Sequence, residues 1–277
     1  MRALFFCLII YSQNLLAVTN SKPDTQHQFK SVVKILFNGG RNSCSGTLIS
    51  ETIILTASHC LISSGNQFRK DIKISLRNKE GEKSIIPAYD PKPSNIHPQY
   101  MDSLNDEDLN GIKASAYYDI AYLELIKPLD PKKFHFSKIN LDSNWQKSAT
   151  IVGFGLTQSP KSLCLDSITS RFCLYRNKKG HKTPDIAHYA QIEFNENETQ
   201  RLNLYRSKQK NKYLIFKRSQ GIWGDSGGPV FNSDHEIIAI IRGGDAQAKK
   251  VGMSRKNTIK YSYFLPLKNV FEFIQDI

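Results

Sequence analysis

The 277-residue chain reads as an all-β protein of the sandwich or barrel kind, and three observations carry that reading. Short runs rich in β-branched and aromatic residues recur along its length. Turn-forming residues separate them. Helical periodicity is almost absent before the C-terminal segment.

The strand candidates begin with SVVKILF (31–37), SGTLIS (45–50) and TIILTA (52–57), with Asn38-Gly39-Gly40 as a strong turn signal in the first gap. DIKISLR (71–77), KSIIPAY (83–89), DIAYLELI (119–126), ATIVGFG (149–155) and AHYAQIEF (187–194) follow. KYLIF (212–216), GGPVF (227–231), EIIAIIR (236–242) and IKYSYFL (259–265) complete the set. After Pro266, Val270, Phe271 and Ile274 share one helical face, so a helix is predicted over about 266–276. Residues 94–116 and 158–185 stay outside this pattern as long polar loops.

The N-terminal segment MRALFFCLIIYSQNLLA has Arg2, an apolar run over 3–11 and a small residue at Ala17. That is the build of a signal peptide over 1–17, with the mature chain over 18–277. The apolar run is too short to span a bilayer, and export to an extracellular or periplasmic space is predicted. Cys7 leaves with the signal, and Cys44, Cys60, Cys164 and Cys173 remain. Four cysteines allow three connectivities. Neighbour pairing, Cys44–Cys60 and Cys164–Cys173, is the simplest, and an oxidising compartment permits it. Zinc is the competing use, but no Cys-x-x-Cys pair or nearby histidine cluster supports it.

Formal net charge is +13, and +12 without Arg2. Basic residues cluster at 176–182 and again at 206–218. Such a surface attracts anionic partners or simply keeps the protein soluble. No stacking aromatics are interleaved in a nucleic-acid motif, so specific nucleic-acid binding is not expected.

The stretch GIWGDSGGPVF, Gly221 to Phe231, holds four glycines and a proline around one aspartate and one serine. Such a segment suits neither a helix interior nor an ordinary strand. It suits a turn that aims backbone N–H groups at a developing negative charge beside the hydroxyl of Ser226. A base is offered by His59 in LTASHC, just after an apolar strand and beside Cys60. A carboxylate is offered by Asp119, heading the apolar YDIAYLEL run, where burial demands a hydrogen-bonded partner.

The order His59, Asp119, Ser226 and its flanks resemble the chymotrypsin-like, trypsin-fold serine proteases. LTASHC is similar to that family's Leu-Thr-Ala-Ala-His-Cys block, YDIAYLEL to its Asp-Ile-Ala-Leu block, and GDSGGPV matches its serine block unchanged. Weaker echoes are CSGTLIS, IHPQY (96–100) and IVGFG (151–155). The resemblance covers roughly residues 31–274. It implies two six-stranded antiparallel barrels, about 29–128 and 140–265, with a C-terminal helix. It also implies a secreted serine endopeptidase acting through His59, Asp119 and Ser226 and an acyl-enzyme. The N–H groups of Gly224 and Ser226 would form the oxyanion hole. Protein or peptide substrates, a monomer, and no metal or cofactor go with that reading. An esterase using the same triad is a weaker option.

Departures from the family pattern concern activation and specificity. The family pairs a new N-terminal amine with the aspartate before the nucleophile, here Asp225. No Ile-Val-Gly-Gly occurs, but cleavage after Ala17 exposes Val18 at a suitable distance ahead of Cys44. A short propeptide cut near Lys30 is the rival. In the pocket, Gln220 stands where tryptic enzymes have aspartate, Ile222 replaces a cysteine, and Trp223 follows at the rim. Ile241 replaces the serine that supports the triad aspartate, Arg242 an aromatic wall residue, and Gly243 keeps the pocket open. The loop bearing Asp102, Asp106, Glu107 and Asp108 reads as acidic and solvated rather than as a calcium site. The second function class is a catalytically silent homologue that binds anionic glycans or membranes through the basic surface.

Overall fold

The structure is a computed structural model that describes residues 21–40, 42–63, 66–104, 118–142, 148–155, 161–164, 173–175, 183–194, 216–217, 224–251 and 254–277. Of 161–164, 173–175, 194, 216–217, 244–251 and 254–262 it describes the backbone course. The proposed signal peptide, Val18, Gln220, Ile222, Trp223 and the acidic residues 106–108 lie outside the described residues.

In chain order the strands are β1 (Lys22–Pro23), β2 (Val32–Phe37), β3 (Asn42–Leu48), β4 (Ile53–Thr56), β5 (Lys73–Arg77), β6 (Lys83–Pro87) and β7 (Ala121–Glu124). The second half adds β8 (Ser148–Gly153), β9 (Lys161–Cys164), β10 (Cys173–Tyr175), β11 (His188–Phe194), β12 (Phe216–Lys217), β13 (Pro229–Phe231), β14 (Ile237–Val251) and β15 (Ser254–Pro266). The protein is all-β with little helix, as its sequence predicts.

A six-stranded sheet, ordered β6-β5-β2-β3-β4-β7, makes the first half. Its strands pair antiparallel. Val33, Ile35, Leu48, Ile54, Leu55 and Ile74 are among its fully buried side chains. The second sheet has nine strands, in the order β1-β11-β8-β13-β14-β15-β9-β10 with β12 on β11. Four of the nine are short or peripheral: the N-terminal dipeptide β1, the hairpin β9–β10 inside the long 158–185 loop, and β12. A separate buried cluster, including Ile151, Ile192, Val230, Ile241 and Phe264, fills it.

The halves are tied together by polar side chains as well as apolar ones. Lys34 sends its ammonium across to donate to the carbonyls of Thr183 and Pro184, at 3.0 Å each. Burial pushes the Lys34 ammonium down from its ordinary value, and the nearby Asp185 carboxylate opposes that. Because a buried cation without acceptors is expensive, this contact fixes the segment entering β11.

The C-terminal segment differs in detail from the predicted helix. Leu267–Val270 is a 3-10 turn, and only Phe271–Gln275 is α-helical. The tighter winding puts Leu267 and Val270 on one side and rotates Phe271 out, leaving it exposed. Phe273 turns inward instead and packs at a tilt against His97 and Tyr122 of the first half.

Candidate active site

The register of the first sheet explains how His59 and Asp119 meet. β4 pairs with β7 so that Thr56 faces Ala121. The 3-10 turn Ser58–Cys60 leaves one strand at the place where Asp119 enters the other. The Ser58 hydroxyl donates to the Ile120 carbonyl at 2.6 Å, clamping the two segments. The disulfide Cys44–Cys60 ties the same turn back to β3.

Asp119 takes both oxygens' bonds from one residue. The backbone N–H of His59 donates to Oδ1 at 3.0 Å, and ring Nδ1 lies 2.7 Å from Oδ2. This fixes the imidazole plane and turns Nε2 away from the carboxylate. Burial alone would raise the Asp119 pKa; the His59 charge, its hydrogen bonds and the Arg242 guanidinium outweigh that and hold it below the ordinary carboxylate range. Tyr100, buried nearby, has its phenol pushed well up, first by burial and then by the Asp119 charge.

Ser226 arrives from the second sheet on a tight turn. Gly224 and Gly227 sit at φ +99° and +81°, a conformation side chains resist. Gly227 has a second reason: a Cβ there would lie 2.2 Å from Thr56 Oγ1. The N–H groups of Gly227 and Gly228 donate to the carbonyls of Ile241 and Asp225. Ser226 itself is held to the first half by its carbonyl, which accepts from the Ser45 N–H at 2.9 Å and lies 3.6 Å from Cys60 Sγ. Its hydroxyl makes a long contact of 3.5 Å to the Arg242 carbonyl. Since Cys60 Sγ is also 3.8 Å from His59 Nε2, serine and imidazole flank one disulfide sulfur.

Asp225 is buried, and its Oδ1 accepts the Gly155 N–H at 2.7 Å. Gly153 and Gly155 leave it room, for a Cβ on either would lie under 2.5 Å from a carboxylate oxygen.

Of the pocket residues predicted from sequence, Arg242 and Gly243 are half-buried within β14. Ile241 is a correction: its side chain is fully buried in the second core, with Ile151, Val230 and Phe264, and does not line a pocket. Ile241 is still paired with Phe264, while the register shifts just after it. The backbone brings Cys164 and Cys173 opposite each other across β9 and β10, in the pairing the sequence suggests; their sulfurs lie outside the described atoms.

Two residues escaped the sequence reading. Ser45 sits at the crossing of the halves: its hydroxyl donates to the Gly224 carbonyl at 2.8 Å and accepts the Phe154 N–H at 2.9 Å. Ser58 is the second. Its signal was present, as the one residue of LTASHC that departs from the family block. Cys44, His59 and Cys60 also cluster within metal-ligand reach, but both sulfurs are consumed by the disulfide and offer no thiolate.

A family model described as Trypsin matches residues 18–265. Granzyme F of Mus musculus is 33% identical over 93 residues, which cover 33% of this chain and 35% of that protein. The match thus spans about a third of the length of that relative. Among solved structures, neuropsin, a serine protease expressed in the limbic system of mouse brain, superposes with a TM-score of 0.63. It is 15% identical, with 92% of this chain and 97% of that chain covered, a likeness of fold.

Proposed function

The chain belongs to the trypsin family, and from that premise we propose that it is an exported serine endopeptidase working through an acyl-enzyme on Ser226. The observation that carries the proposal is the 2.7 Å bond from His59 to the buried Asp119, with Ser226 beside the same disulfide. Asp119 holds the imidazole with Nδ1 occupied, which leaves Nε2 to work as the base. The Ser226 hydroxyl gives up its long contact to the Arg242 carbonyl and hydrogen-bonds Nε2. Its oxygen attacks the substrate carbonyl as the proton passes to His59. The N–H groups of Gly224 and Ser226 receive the oxyanion. His59 then protonates the leaving amine, and water, deprotonated by His59, releases the acid and restores the serine.

The N-terminal amine assigned to Asp225 is that of Val18, freed by removal of residues 1–17. Support comes from the chain just after it: Ser21 is buried, and β1 pairs with β11 next to β8, whose exit supplies the Asp225 partner Gly155. Export is supported by the Cys44–Cys60 disulfide, a bond that oxidising compartments preserve.

The test is intact mass of the secreted protein after treatment with a fluorophosphonate probe, with Ser226→Ala alongside. One adduct on the wild type alone, on a chain starting at Val18, is the expected result. A wild type that starts at Val18 and takes no adduct would sink the catalytic assignment.

A further inference from the structure

We infer that Arg242 is a positioning residue for the triad carboxylate, a second cation on Asp119 that sets the acid edge of the working pH range. The inference rests on the catalytic reading above. Three independent features of the chain lead to it.

The first is the strand. β14 pairs with β15 as Ile241 with Phe264 and then Gly243 with Tyr263, so Arg242 is the extra residue of a bulge. A bulge leaves one residue outside the ladder and re-aims its side chain, and here it stands beside the catalytic cleft. The second is contact. Arg242 Nε lies 3.7 Å from Asp119 Oδ2, while the carbonyl of the same residue receives the Ser226 hydroxyl. One residue therefore touches both ends of the candidate triad. The third is substitution: the neighbouring position, Ile241, has no hydroxyl to offer the carboxylate and is turned into the core.

The distance decides the kind of interaction. At 3.7 Å the guanidinium is beyond a good hydrogen bond, so it acts on Asp119 by charge. Asp119 is 2% exposed and Arg242 33%, which makes the pair less screened than one on the open surface. Among the described residues, the titratable side chains facing Asp119 are His59 from the 3-10 turn, Tyr100 from the short helix Pro98–Asp102 and Arg242 from β14. His97, stacked on Tyr118, flanks the same segment, and Asp225 is turned to Gly155.

The sign follows from these neighbours. A guanidinium on Oδ2 shares the carboxylate with the imidazole and repels the imidazolium formed when His59 takes a proton. Removing the guanidinium lifts that repulsion, so the acid limb of activity moves to higher pH. With the guanidinium in place, Asp119 gives the imidazolium of the transition state less support. The residue thus exchanges some rate at neutral pH for activity in mildly acidic surroundings.

The test pairs Arg242→Gln, which removes the charge, with Arg242→Lys, which keeps it. His59 ring resonances are titrated by NMR in Ser226→Ala backgrounds, assigned against His59→Ala, and kcat/KM is measured against pH in the active forms. With Gln, the ring titration midpoint and the acid limb of kcat/KM move upward together by about half a pH unit. With Lys, both return most of the way. A Gln variant that changes KM while both midpoints stay put overturns the inference and makes Arg242 a substrate contact. A midpoint that moves in a protein taking no probe and cutting no peptide removes the catalytic reading and leaves the Arg242–Asp119 coupling standing.

Discussion

The two halves of the site are held in different ways. On the first sheet, His59 and Asp119 are locked to each other through side chains, with two bonds between them and Ser58 clamping the next carbonyl. On the second, the serine turn is locked through its backbone, by Ser45 N–H to Ser226, Gly227 to Ile241 and Gly228 to Asp225. Among the described residues, the Ser226 side chain makes a long 3.5 Å contact to the Arg242 carbonyl. In the proposed mechanism the base must be oriented before substrate arrives, whereas the nucleophile must move toward carbon, and the two modes of anchoring suit those proposed tasks.

The sharpest way to break this comparison is to leave the geometry and remove the charge on the locked side. Asp119→Asn should lower kcat by about 10⁴-fold, the scale of loss when a triad aspartate becomes an amide with its geometry intact. The same variant tests the electrostatics. Because folding lowers the Asp119 pKa, its stabilising contribution is present above the unfolded carboxylate value and lost as pH falls through the folded one. Acid unfolding below about pH 4 should therefore be shallower in Asp119→Asn than in wild type. Equal slopes would mean that Asp119 is not held below its ordinary range.

How far the sequence could be read follows the same division. The locked side announces itself: a lone aspartate heading an apolar strand and a histidine beside a cysteine are local patterns. The serine turn is equally plain, because its glycines are demanded by φ and by contact with Thr56. Contacts between the halves are not local and left little trace. Nothing in CSGTLIS says that the Ser45 hydroxyl spans 179 residues to reach the Gly224 carbonyl. Periodicity places Phe271 on the apolar face, but a 3-10 turn precedes it, and a period of 3.6 cannot register a turn of three. Gly243 and Gly244 read as the end of a strand, yet β14 runs on through them: both are paired with β15, and the bulge falls on Arg242. The hairpin β9–β10 was hidden in polar sequence, where pairing rather than apolar alternation makes the strands.

Ser45→Ala probes the backbone-held side. Loss of the hydroxyl strands the Phe154 N–H and the Gly224 carbonyl, costing about 1–3 kcal/mol of stability. It also loosens Gly224, so kcat should fall by about tenfold, short of the loss of a whole oxyanion donor. Thermal melting and steady-state kinetics on one preparation read both. A stability loss with kcat intact would mean that Gly224 is fixed by the turn alone.

Ser58→Ala gives the smallest effect and isolates the clamp on the locked side. The variant restores the alanine of the family block, so the fold must accept it. The Ile120 carbonyl loses its 2.6 Å donor while both Asp119–His59 bonds remain. One hydrogen bond of this kind is worth about 1 kcal/mol. Melting should therefore register the change, while kcat shifts by less than about threefold, since the reacting groups keep their partners. A larger fall in kcat would place the orientation of the imidazole in the Ser58 clamp rather than in the carboxylate. The side-chain lock would then extend one residue back along the chain.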